Sequence, residues 1–135
     1  MATQSIIVVN NGLQKITNCL VNDPNPPEYM AWGTGAANAI ATNTNLQTAR
    51  PEAREAAVMQ LIEDDVADDT LEVVATLIVT AEPYAANITE LGIFNHITNE
   101  DLFLRATFDP LALGEDDGIQ FTVRVKFESV GYVAP

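Results

Sequence analysis

The chain has 135 residues, 47% of them hydrophobic and 19% charged, which excludes intrinsic disorder and fits one folded domain large enough to bury a core unaided. Its nineteen carboxylates against six Lys and Arg give a net charge of -13, which repels a phosphate backbone and argues against nucleic-acid binding. The single Cys19 has no disulfide partner and no clustered His for a metal site, and is expected to be a small core residue.

Residues 1–4 lack the basic and apolar regions of a signal peptide, and no run approaches the ~20 apolar residues that span a bilayer. Synthesis in the cytoplasm without membrane insertion is expected. Residues 5–9 form a short β-branched run, and Asn10-Asn11-Gly12 reads as a turn. Leu13, Ile16 and Leu20 then follow a helical spacing, predicting a two-turn helix to about Val21 that the proline-rich residues 23–27 stop. Residues 1–27 are thus an N-terminal strand, helix and turn, and residues 28–135 the body of a single domain.

Residues 28–35 begin as a strand and end in the small residues Gly33-Thr34-Gly35, after which the Ala, Asn and Thr-rich residues 36–44 predict a surface loop. Residues 46–54 are ambiguous because Pro51 suits either a helix start or a sheet edge. From Ala56 to Ile62 side chains alternate, with Ala57, Met59 and Leu61 on one side; the acidic residues 63–69 form a turn, and residues 71–80 return as a long strand. Both faces of that strand are apolar, as in a central strand covered by the helix or one buried against another subunit.

The C-terminal third organises the rest. Residues 88–95, 102–108 and 119–127 each repeat β-branched and aromatic residues with period two. They predict three consecutive antiparallel strands, the first two joined as a hairpin through residues 95–101 and the last reached by a longer connection over residues 109–118. The expected fold is mainly all-β, a two-layer antiparallel β-sandwich of about six strands with one short N-terminal helix.

Catalytic constellations are missing from the sequence. The lone His96 lies in an expected turn and its pairing with Cys19 is disfavoured, while Gly33-Thr34-Gly35 lacks the lysine and remaining glycines of a phosphate loop. The acidic turns at residues 63–69 and 114–118 carry oxygens suited to calcium but not the spacing of a calcium loop. No enzyme activity, cofactor or metal is expected.

An ordered set of blocks carries a family resemblance. Asn11-Gly12-Leu13, Tyr29-Met30-Ala31-Trp32-Gly33-Thr34-Gly35, residues 42–46, Ile88-Thr89-Glu90-Leu91-Gly92-Ile93-Phe94, Leu102-Phe103-Leu104-Arg105-Ala106-Thr107-Phe108 and the strand at residues 121–127 together resemble small tail-associated proteins of tailed bacteriophages. Those proteins carry a Gly-Thr-Gly block, an I-T-E-x-G block and an L-F-A-R-A-T-F block in this order; here Leu104 stands where Ala is usual. The resemblance implies a non-enzymatic virion protein, made in the host cytoplasm and assembled into the tail as a fibre anchor, collar or baseplate part. Its implied partners are itself, with a trimer favoured, and other tail, baseplate or fibre proteins. A capsid decoration protein and a carbohydrate- or receptor-binding module are the competing expectations. Tyr29, Trp32, Phe94 and Phe103 are candidate interface anchors, with core packing as the alternative role. Arg105 and Arg124, in otherwise apolar or neutral strands, are expected to meet a carboxylate or a partner's carbonyl, with Glu90 available to either.

Overall fold

A computed structural model describes residues 4–129 and 132–134. The chain order is β1 (Gln4–Ile6), α1 (Asn10–Asn22), β2 (Tyr29–Gly33), β3 (Glu55–Ala56), β4 (Val58–Ile62), β5 (Thr70–Ile78), β6 (Ala86–Phe94), β7 (Leu102–Leu113), β8 (Gly118–Lys126) and β9 (Tyr132–Ala134). A four-stranded sheet ordered β3-β2-β6-β7 faces a three-stranded sheet ordered β4-β5-β8, and β1 pairs with β9 in a separate ribbon. Every pairing is antiparallel. The expected all-β sandwich with one N-terminal helix is therefore the fold. None of its helices is long and apolar enough to cross a membrane, among the described residues.

Alternation builds the core. Leu71, Val73, Ala75 and Leu77 of β5 point inward against Met30 and Trp32 of β2 and Ile88, Leu91 and Ile93 of β6. The β4–β5 hairpin forms as expected, and the break at Ala57, whose amide donates to the Glu28 carbonyl at 2.7 Å, moves the chain from one sheet to the other. β5 is the central strand of its sheet; its outer Thr76 and Ile78 are exposed, and α1 packs beside β4 instead of over that face.

Several expectations need correction. The C-terminal third is not one sheet: β6 and β7 form the hairpin, closed by the Asn95 amide on the Asp101 carbonyl at 2.8 Å, but β8 pairs with β5 across the sandwich. Its nine-residue register with β5 is unbroken, and inward Phe121 packs edge-on to Trp32 of the opposite sheet. β7 runs on to Leu113, so Pro110 lies inside a strand. It is tolerated because the register slips between Ile88 and Glu90 and the far side of β7 pairs with no strand among the described residues, so no donor is needed there.

Asn10-Asn11-Gly12 is the first turn of α1, not a separate turn. The Val9 carbonyl accepts from Gly12 at 2.8 Å and Leu13 at 3.1 Å, and first-turn amides need no intrahelical partner. The buried stripe is Leu13 and Thr17, flanked by Leu20 and Val21, while Ile16 is exposed. Thr17 takes the inward position because its hydroxyl reaches the Asp68 carbonyl at 2.7 Å, tying the helix to the β4–β5 turn. Cys19 consequently falls off the buried face and is exposed, not a core residue.

Candidate functional site: a buried carboxylate beneath an exposed loop

The three sequence blocks meet at Glu90. β6 places its carboxylate on the outer face of the four-stranded sheet, yet it is fully buried because residues 34–48 fold over it. One oxygen, Oε2, accepts from the backbone amides of Gly35 at 2.7 Å and Thr48 at 2.8 Å. The other, Oε1, accepts from the Gln47 amide at 2.8 Å and from Arg105 Nε at 2.9 Å. Thr89 Oγ1 donates to the Gly35 carbonyl at 2.8 Å, pinning the same loop from the neighbouring residue. Burial pushes the Glu90 carboxyl upward, but the Thr48 amide, the Arg105 guanidinium and the Gln47 and Gly35 amides outweigh it and hold the group below its ordinary value.

The glycines of the first block serve close approach. A Cβ on Gly33 would lie 2.4 Å from the Thr48 carbonyl oxygen and 2.6 Å from Glu90 Oε2; on Gly35 it would lie 2.4 Å from both Gln47 Cβ and Glu90 Oε2. Neither has a positive φ, so the requirement is space, not backbone conformation. Gly33-Thr34-Gly35 thus receives a protein carboxylate where a phosphate loop would receive a ligand.

Arg105 completes the unit from β7. Its side chain is 3% exposed, Nη1 donates to Asn43 Oδ1 at 3.2 Å, and Nη2 is buried without a partner among the described residues. Glu90 is thus the partner of Arg105 but not of Arg124, whose Nε instead meets Glu72 Oε2 at 2.9 Å on the exposed face of the other sheet.

The remaining interface candidates divide. Trp32 and Phe94 are buried in the chain's own interior, Trp32 donating to Glu52 Oε1 at 2.8 Å and Phe94 lying 3.5 Å beneath the Arg54 guanidinium. Tyr29 and Phe103 stay half-buried, and Arg124 is exposed. Phe103 occupies the irregularity where Ile93 pairs with Leu104 and Phe94 with Leu102.

Two further carboxylates, Glu52 and Asp69, had no distinctive sequence signal. Glu52 binds Arg50 through both oxygens, at 3.0 and 2.6 Å, and Arg50 also holds the carbonyls of Ala81 and Pro83. Asp69 accepts the amides of Asp64, Asp65 and Val66 and the Thr70 hydroxyl, organising the acidic turn. Its burial opposes ionisation, but those four donors prevail and lower its pKa to about 2.

His96 Nδ1 accepts from the amides of Thr98 at 3.1 Å and Asn99 at 3.2 Å, a turn-forming role. Among the described residues no group of three or more His, Cys, Asp or Glu is placed to hold a metal ion. A crevice of about 250 Å³ between β2 and β5 is lined by Ala31, Trp32, Glu52 and Thr76, and its carboxylate is already committed to Arg50. No protein-family model, curated protein or solved structure matches the chain.

Proposed function

We propose that the chain is a structural virion protein of a tailed bacteriophage that assembles into the tail as a fibre-anchoring, collar or baseplate component and performs no catalysis. One observation carries this reading: the Gly-Thr-Gly, Ile-Thr-Glu and Leu-Phe-x-Arg blocks, dispersed in sequence, converge on the Glu90 carboxylate as one sealed scaffold. Blocks whose job is to fix a loop on a sheet suit a protein whose surface is its function. Charge fits the role as well. Lys126 is engaged by Asp64, Asp65 and Glu128, and Arg50, Arg105 and Arg124 are each paired, leaving a strongly anionic exterior that keeps free subunits apart before assembly.

Mass spectrometry of virions whose heads and tails have been separated tests the proposal. The chain should travel with tails in stoichiometric amount. Recovery with heads would replace this reading by capsid decoration, and absence from virions would refute it.

A further inference from the structure

The sandwich is one strand short. Phe121 of β8 touches both Trp32 of β2 at 6.3 Å and Phe108 of β7 at 5.9 Å between ring centroids, which places β8 opposite β6. β7 therefore overhangs with no strand of the three-stranded sheet beneath it. The consequence is visible in burial. Inward Ile93 of β6 is fully buried, whereas the inward side chains Leu104, Ala106 and Phe108 of β7 are only half-buried, as are Phe121 and Val123 of β8. On the opposite side of the sandwich α1 packs beside β4, with Leu20 and Val21 against the core.

The two edges that frame this seam differ. β7 carries two register irregularities, Pro110 and Asp109, devices that discourage pairing. β8 has neither proline nor bulge: its nine residues pair regularly with β5, its two charged residues, Arg124 and Lys126, are engaged by carboxylates, and its far side is unpaired among the described strands. A free, regular edge beside an apolar seam takes an extended apolar segment through main-chain hydrogen bonds.

The chain itself supplies such a segment. Ile7, Val8 and Val9 lie in no strand and are 60%, 45% and 63% exposed, an unusual display for three consecutive β-branched residues. Residues 1–14 contain no charged side chain, in a chain of net charge -13. This arm can approach another copy without the like-charge repulsion that the rest of the surface imposes.

We infer that Ile7, Val8 and Val9 of one copy, the link between its β1 and α1, add as a short fourth strand to the free edge of β8 in a second copy, covering part of the half-buried inner face of β7. Arm and edge are different surfaces, so the contact is head-to-tail and generates a ring where the rotation closes. The inference rests on the assembly role proposed above and specifies its contact.

Light scattering over a concentration series, with two variants, tests it. Ile7→Asp combined with Val9→Asp charges exposed arm positions, and Ala106→Lys places an inward-facing cation in the seam, where its stem can reach solvent. Wild type should form an oligomer. Each variant alone should fall to the 14.6 kDa monomer with an unchanged circular dichroism spectrum, and mixing the two should restore a complex, because each retains the surface the other lacks. Should Ala106→Lys unfold, the arm variant alone decides. An oligomer that survives the arm substitutions overturns the inference while leaving the assembly role standing. A wild-type monomer at every concentration also overturns it, and the virion fractionation then judges the broader role independently.

Discussion

Replacing Glu90 by Gln changes one atom and removes one charge, and the geometry makes the outcome sharp. Both carboxylate oxygens accept two donors: Oε2 from Gly35 and Thr48, Oε1 from Gln47 and Arg105. Whichever oxygen becomes an amide nitrogen then faces two donors, so rotating the Gln side chain rescues nothing. The substitution also leaves the Arg105 guanidinium buried without its counter-charge. Breaking a buried pair costs about 3–5 kcal/mol, and the two orphaned donors place Glu90→Gln inside that range instead of below it. For a domain of this size the loss corresponds to a fall of roughly 10–18 °C in Tm. Urea and thermal unfolding of wild type, Glu90→Gln, Arg105→Met and the double variant provide the readout. The double variant should recover part of the loss, since it removes the uncompensated cation. A change for Glu90→Gln below about 1 kcal/mol, in the range of an exposed pair, would refute the view that Glu90 holds the loop.

Other perturbations follow from the same geometry. Gly35→Ala should cost about 1–3 kcal/mol by overpacking, because the new Cβ would lie 2.4 Å from Gln47 Cβ and Glu90 Oε2, whereas Gly114→Ala, at 3.4 Å from Asp117 Oδ2, should be nearly neutral; urea midpoints compare the two. With the pKa of Asp69 lowered to about 2 in the fold, its stabilisation is present above the unfolded carboxylate value and lost as pH falls through the folded one. Unfolding midpoints measured from about pH 5 to pH 2 should therefore drop steeply, and Asp69→Asn should flatten that drop. Because the net charge is -13, screening should favour the compact chain, so Tm should rise between about 0.01 and 0.15 M salt; a fall would mean that ion pairs such as those at Lys126 outweigh self-repulsion.

The sequence exposed the strands because each alternates against a core, and it offered Glu90 as a partner for an arginine because Arg105 and Arg124 lie in otherwise apolar or neutral strands. It could not choose between Arg105 and Arg124, since that depends on which sheet each strand joins. Period-two patterning is the same in either sheet, which is why residues 119–127 read as a neighbour of β7 although Phe121 sends β8 to the opposite layer. The buried face of the helix departs from its hydrophobic pattern for a related reason. Ile16 and Thr17 flank the Leu13–Leu20 line from opposite sides, about 100° apart around the helix; hydrophobicity favours Ile16, and only a tertiary acceptor, the Asp68 carbonyl, turns Thr17 inward. Arg50 and Asp69 gave no local signal because they meet backbone groups of segments brought close by folding or turning, and Glu52 gave none because its partners Trp32 and Ala81 are distant in sequence.

Immunogold labelling of intact virions from the source phage, with antibody raised against the purified chain, addresses the central claim most directly. Label confined to the tail at a fixed axial position is the expected result; label over the head, or none on the particle, would contradict a structural role in the tail.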